Sequence, residues 1–436
     1  MSYDSIRMLE EARSTVRGGI YPAAPVYILR FFDMTGYGVT AMLQVQNFVL
    51  LLSMALILRM LDASSIKSAI ALLALVATPT VVGCMLVLWK DVTLTALMML
   101  SIVIIFWASR TSAKSTVYYA AKWAALPLLT LGALVRFNAL TATLVIALYW
   151  VAVFFRHQNR QRRAGVFVAV LICMVASNKV INSYSFPDLK KLDVNPIVYA
   201  IMINDLIGIS GWSRVSLIPI DSTRSAPQAK ASIADIDKIY SSLGALAMND
   251  NNMAIGNVVK VFPKQYKNED ITRAWLDGIL GHPIAYLRYR WDLFAEIIGA
   301  KSHATFEPTH FNRIDENAFG IEFRDRWITR ITLQYIQWAS NVFYGKPWFV
   351  FLLSIIAIAL VYKSKIIHEA DKNLAYYSFA AALLYIAPFF IITGTGEVRY
   401  SFPSIVLGSI AVFVWIFRHY LPQHNSSTQR KLGHIG

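Results

Sequence analysis

Nine separate stretches of this chain are apolar for about the length of a bilayer, and that property narrows the fold more than any other. A hydrocarbon core about 30 Å thick takes roughly 20 apolar residues as a helix. The stretches are 38–60, 68–88, 92–109, 117–135, 138–155, 164–181, 347–362, 374–393 and 402–417, with 347–362 and 402–417 the short ones. Hydrophobic residues make up 56% of the chain and charged residues only 15%, against about 25% charged in an ordinary soluble domain. A wholly soluble fold, a disordered chain and a coiled coil are thereby excluded. The two cysteines, Cys84 and Cys173, lie inside apolar stretches, which leaves them as small packing residues rather than a disulfide scaffold or a metal site.

Between 182 and 346 the pattern changes. Pro, Asn, Asp and Lys are scattered throughout, no long apolar run occurs, and 18 Lys/Arg stand against 17 Asp/Glu. About 165 residues can bury a core of their own. Helical spacing of apolar residues runs over Ile197–Ser210 and over Thr272–Gly299, the latter broken near Gly281-His282-Pro283. Trp327–Trp338 reads as an amphipathic interfacial helix leading into the stretch at 347. The expected fold class is therefore an α-helical polytopic membrane protein with about nine transmembrane helices and a mixed, helix-rich periplasmic or extracellular domain.

The net charge of +15 first suggests a nucleic-acid partner. Its distribution argues otherwise. Alternate short loops carry Arg59, Lys67, Arg110, Lys114, Arg156, Arg160, Arg162, Arg163, Lys363, Lys365, Lys372, Arg418, Arg430 and Lys431, whereas the intervening ones carry only Lys90, Arg136 and Arg399. Basic residues accumulate on the cytoplasmic side of membrane proteins. The expected layout is an outward segment 1–37 with interfacial helices, six spans over 38–181, an extracytoplasmic domain 182–346, three spans over 347–418 and a cytoplasmic tail 419–436. An outward segment 1–37 without a signal peptide leads to the expectation of a further hydrophobic helix ahead of Met1, the alternative being translocation with the first hairpin.

The few polar residues of the outward short loops are chemically pointed. Tyr3-Asp4-Ser5, Trp89-Lys90-Asp91, Arg136-Phe137-Asn138 and Thr393-Gly394-Thr395-Gly396-Glu397-Val398-Arg399-Tyr400 all fall on one face. Any one of them reads equally well as topological punctuation, and Lys90 also as a headgroup anchor. Jointly they supply carboxylates that can take a proton from a hydroxyl and cations that can hold a phosphate as it leaves. Gln44 and Gln46 read more simply as helix–helix hydrogen-bonding partners, and Gly394 and Gly396 as the means to a tight turn before Glu397. His282, His303 and His310 lack the spacing of a helical zinc site. There is no P-loop, dinucleotide fingerprint or serine nucleophile elbow.

On these motifs the chain resembles bacterial membrane glycosyltransferases of the GT-C class, which take a sugar from a polyprenyl-phosphate carrier. The class includes lipid A aminoarabinose transferases, protein O-mannosyltransferases and phage serotype-converting glucosyltransferases. Tyr3-Asp4-Ser5 resembles the acidic position of their first outward loop, and Trp89-Lys90-Asp91 a second acidic position in a later one. Arg136-Phe137-Asn138 is similar to their Arg-x-Asn turn, and Glu397-Val398-Arg399-Tyr400, followed by Pro403, to the Glu-x-Arg-Tyr block before a late helix. Asn204–Ile209 and His282–Arg288 look like blocks of their large outward domains. Here that domain lies between the sixth and seventh stretches rather than at the C-terminus, which leaves the acceptor unassigned.

The resemblance implies an inverting hexosyl or pentosyl transferase of the cytoplasmic membrane with its site facing outward. Asp4 is the expected base and Asp91 the second candidate. Lys90, Arg136, Asn138, Glu397, Arg399 and Tyr400 are the expected substrate-binding residues. The implied partners are a polyprenyl-phosphate sugar donor, a lipid, glycan or protein acceptor, and the membrane itself. No metal ligand set or cofactor is called for, although a carboxylate beside a phosphate leaves a divalent cation open. The alternatives are a polymerase or ligase of lipid-linked oligosaccharides, a transporter or flippase of a lipid-linked or polar solute, and a non-enzymatic receptor. A transporter should show inverted repeats, broken helices and polar groups at mid-membrane. No repeat is visible, and the only basic residue well inside a stretch, Lys122, sits near a cytoplasmic end where it can snorkel.

Overall fold

The structure is a computed structural model that describes residues 2–14, 21–113, 115–185, 196–217, 233–234, 236, 268–301, 308–309, 314, 317–322 and 325–420. Every regular element among the described residues is helical. The mixed character expected of 182–346 is therefore not seen among them, and His303, His310 and the tail after Pro422 lie outside the described residues.

Two short helices, α1 (Tyr3–Arg13) and α2 (Ala23–Met34), precede the first long one. Met8, Leu9 and Ala12 of α1 pack against Val26 and Leu29 of α2. Arg13 closes the pair at the far end, donating from Nε and Nη2 to the two oxygens of Asp33 at 2.8 Å each. The chain then turns through Gly36 at φ 81° into α3 (Gly38–Met60).

Six helical segments among the described residues are long and apolar enough to cross a membrane. They are α3, α6 (Lys90–Ser109), α7 (Thr116–Val135), α9 (Arg160–Ser185), the segment Glu369–Ile392, which is α15 (Glu369–Ile386) with the short α16 (Phe389–Ile392), and the segment Val398–His419, whose core is α17 (Phe402–Trp415). Two shorter apolar helices, α8 (Ala139–Phe154) and α14 (Pro347–Lys363), coincide with further apolar stretches. The stretch at 68–88 is not one straight helix. It is α4 (Ser65–Val76) and α5 (Pro79–Met85), bent by 83°. Pro79 at the start of α5 has no N–H to give, and it drives Thr78 into an extended conformation (φ −62°, ψ 124°), so one helix cannot run through.

In the region 182–346 the described helices are α10 (Pro196–Ser213), α11 (Asn268–Gly281), α12 (Pro283–Ile297) and α13 (Trp327–Ser340). The break read at Gly281-His282-Pro283 is real: His282 precedes α12, and Pro283 takes its first position, where a missing N–H is harmless. The Trp327–Trp338 helix is present as α13.

α6 and α17 form the most enclosed part of the bundle. At one end of both, Arg110 pairs with Asp371, while Arg418 reaches Asp371 at 2.8 Å and Asp62 at 2.6 Å. Their opposite, N-terminal ends carry Lys90, Asp91 and Arg399.

Candidate functional site

The 3-10 turn Val398–Ser401 leads into α17 and puts Arg399 among groups from its own loop and from two other parts of the chain. Its Nη1 lies 2.6 Å from Asp4 Oδ2, and its Nε pairs with Glu397. The guanidinium also sits over the Trp89 ring, 5.2 Å from the centroid. Trp89 is fixed in turn, donating from Nε1 to Ser2 Oγ at 2.9 Å, and Ser5 Oγ donates to Leu88 O at 2.9 Å. These bonds seat the N-terminus of α1 against the loop that opens α6. Asp4 additionally accepts from the Tyr21 hydroxyl at 3.0 Å, and Lys90 Nζ lies 4.7 Å from the centre of the same Tyr21 ring. Burial acts to raise the Asp4 pKa. The charges of Arg399 and Lys90 outweigh it and hold the carboxyl well below the usual carboxylate range.

Asp91 belongs to a second, drier unit beside the first. It is fully buried, its Oδ1 is paired with Arg136, and the Tyr385 hydroxyl donates to that same oxygen at 3.0 Å. Oδ2 has no hydrogen-bond partner among the described residues. Arg136 Nε donates to Asn138 Oδ1 at 3.2 Å, where Asn138 immediately precedes α8. Tyr400 links the units: the Arg136 guanidinium lies 4.8 Å and that of Arg399 5.5 Å from its ring centre, and the ring stacks on Phe389 at 4.7 Å and 12°. The Tyr400 hydroxyl donates to Glu397 Oε1 at 3.4 Å.

The structure thus brings together all eight residues singled out from the sequence: Asp4, Lys90, Asp91, Arg136, Asn138, Glu397, Arg399 and Tyr400. Their ionisable members include three cations and three carboxylates. Such a balanced set tolerates partial burial, and it has to reorganise when a further anion enters. Among the described residues no group of three or more His, Cys, Asp or Glu is placed to hold a metal ion. Asp4 and Glu397, the two carboxylates nearest each other through Arg399, are occupied by that guanidinium.

Two contributors carried no legible signal: Tyr385 lies in the middle of an apolar stretch and Tyr21 in a segment without periodicity. Thr395, inside the block 393–400, bonds Glu397 Oε1 through its Oγ1 at 3.3 Å. The chain bends at Gly394-Thr395 before Glu397, and Gly394 and Gly396 do not adopt positive φ there. Gly396 is needed for space, since a Cβ there would overlap Glu296 Oε2 and lie 2.7 Å from the Glu296 Cβ. Gln46 behaves as a helix–helix partner, accepting from Thr93 Oγ1 at 2.8 Å. Both cysteines are free.

No protein-family model, curated protein or solved structure matches the chain.

Proposed function

We propose that this chain is an integral-membrane glycosyltransferase that moves a sugar from a polyprenyl-phosphate donor to a hydroxyl of a cell-envelope acceptor. The observation that carries the reading is the Asp4–Arg399–Glu397 unit with Lys90 beside it, at the common end of α6 and α17. Two carboxylates, two cations and aromatic rings at one end of a helical bundle suit a ligand whose anionic head exchanges for a carboxylate at the membrane surface and whose tail lies between helices. In this reading the bundle has nine spans, counting α4–α5, α8 and α14. Its basic loops are cytoplasmic, and 1–37 and 182–346 face outward from the cytoplasmic membrane.

The donor phosphate competes with Asp4 for Arg399. As the guanidinium turns towards the phosphate, Asp4 loses the charge that depresses its pKa and becomes a better base. The acceptor oxygen forms its bond to the anomeric carbon from the face opposite the phosphate. The carbon–oxygen bond to phosphate breaks with its electron pair leaving on the polyprenyl phosphate, and the hydroxyl proton passes to Asp4. The configuration inverts. Lys90 and Arg399 stabilise the charge that grows on the departing phosphate. Asp91, buried and paired, orients Arg136 rather than accepting the proton. A polymerase or ligase of lipid-linked oligosaccharides would use the same equipment on a longer donor.

One observation favours a second reading, a transporter or flippase: α4–α5 is a broken helix, as half-helix binding sites are. The break at Ala77-Thr78 carries no charged residue, and the ionisable groups gather at the ends of the long helices instead. Mass spectrometry of surface glycans in a deletion strain and its parent tests the proposal. Loss of one sugar substituent is expected, and an identical profile in cells that express the protein would refute it.

A further inference from the structure

Two helices from the region 182–346, α10 and α12, grip the loop that carries Glu397 and Arg399 and are braced by a third, α11, although none of their residues belongs to the site. Arg290 of α12 is fully buried. Its Nη1 donates to the Thr393 carbonyl at 2.6 Å and its Nη2 to Asp205 Oδ2 of α10 at 2.5 Å. Asp205 also accepts from Trp275 Nε1 of α11 at 2.7 Å, so the guanidinium is held on the side away from the loop. One residue along, Asn204 Nδ2 donates to the Gly394 carbonyl at 3.0 Å. Gly396 then lies flush against Glu296 of α12, with no room for a Cβ.

The grip is transmitted within a few residues. Thr393 Oγ1 donates to the Thr395 carbonyl at 2.6 Å, and Thr395 Oγ1 bonds Glu397 Oε1 at 3.3 Å and the Tyr400 hydroxyl at 3.2 Å. Glu397 pairs with Arg399, and Arg399 with Asp4. A loop with no ladder of its own takes its orientation from such outside anchors, and hydrogen bonds from a charged donor are the strong ones. We infer that Arg290, assisted by Asn204, is a positioning residue that sets the aim of the Glu397–Arg399 unit at an anionic ligand, so that the helices within 196–297 control the site from outside it. The identity of that ligand as a polyprenyl phosphate rests on the function proposed above; the positioning itself does not.

The test uses the full chain in detergent, comparing wild type with Arg290→Ala, Arg290→Lys and Asn204→Ala. Amide hydrogen exchange of peptides covering 393–400 and 196–213 is read together with the affinity for added polyprenyl phosphate. Arg290→Ala should raise exchange across 393–400 by roughly tenfold or more, the loss expected for a charged hydrogen bond. It should weaken polyprenyl-phosphate binding by a similar factor. Arg290→Lys should recover part of both, and Asn204→Ala should give a smaller change in the same direction. Exchange that rises in 196–213 while 393–400 stays as in wild type would overturn the inference, since Arg290 would then hold only its own helices. If Arg290→Ala does not fold, Arg290→Lys and Asn204→Ala decide by the same comparison. Wild-type protein that ignores polyprenyl phosphate would sink the proposed donor, and the exchange measurement would still decide the positioning role.

Discussion

Arg399 Nη1 stands 2.6 Å from Asp4 Oδ2, joining two residues from opposite ends of the chain at a single point. The first helix is held there from its other side as well, through Ser2, Ser5 and the loop before α6. The contact makes the candidate site a product of chain closure, since Asp4 comes from the first helix while Glu397 and Arg399 come from the turn before α17.

Replacing Asp4 by Asn keeps the shape and removes the proton acceptor. Sugar transfer by Asp4→Asn protein should fall by roughly 10²–10⁴-fold, the usual contribution of a general base. Membrane insertion, checked by the amount of protein recovered in the membrane fraction, should be unchanged. Near-normal turnover would take Asp4 out of the mechanism.

Asp91 should reveal itself through stability first. Removing one partner of a buried ion pair leaves the other charge stranded and costs about 3–5 kcal/mol. Asp91→Ala and Arg136→Met, each alone, should lose about that much in thermal unfolding in detergent. The double variant should recover most of the stability while transfer stays lost. Recovery of both together would mean that the pair serves only packing.

At the far ends of α6 and α17, Asp371 holds Arg110 and Arg418 together. Asp371→Ala removes the partner of Arg110 and leaves Arg418 only Asp62, and should destabilise by about 3–5 kcal/mol. Transfer per folded molecule should stay near the wild-type value, because this cluster lies at the other end of the bundle from Asp4 and Arg399. A specific loss of turnover in well-folded Asp371→Ala protein would contradict the assignment of the site to one end only.

Two carboxylates outside the spans, Asp4 and Asp205, should titrate in opposite senses. Against the effect of burial, Arg399 and Lys90 hold the Asp4 pKa below that of the unfolded chain. Its stabilising contribution is therefore present above the unfolded value of about 4 and is lost as pH falls through the folded one. Burial pushes Asp205 up to about 6, against the pull of Arg290 and Trp275. Its contribution is full below the unfolded value of about 4 and fades as pH rises through about 6. Unfolding followed across that interval should show the second loss, and Asp205→Asn should flatten it. An unchanged profile in Asp205→Asn would show that another group titrates in this window.

Much of the architecture is legible because membrane burial writes itself into composition. Runs of apolar residues at 38–60, 92–109 and 117–135 return as α3, α6 and α7 with ends shifted by a few residues at most. Gly281-His282-Pro283 is legible because a proline without an N–H is favoured at the first position of a helix, and α12 begins there. The bend at Thr78 is not legible in hydropathy. Apolar content is the same whether a helix is straight or broken, and only the Pro79 backbone marks the difference.

The site is legible as a set of residues and illegible as a geometry. Lys90, Asp91, Arg136, Glu397 and Arg399 stand out because charge at these ends of the apolar stretches is sparse, and Asp4 stands out only through the resemblance of Tyr3-Asp4-Ser5 to an acidic first outward loop. Nothing in their spacing says that Arg399 takes both Asp4 and Glu397 while Arg136 takes Asp91. Tyr385 and Arg290 are invisible, one because a tyrosine in an apolar run looks like packing, the other because an arginine in a near-neutral region looks solvated. By itself the sequence determined the helical, membrane-type character of the chain and the end of the bundle where its scarce charges collect, because hydropathy and charge are local properties. Which charges meet, which glycine gives way to Glu296 and which arginine anchors the Thr393 carbonyl were decided by tertiary structure alone, because a contact between residues tens or hundreds of positions apart depends on how whole helices pack.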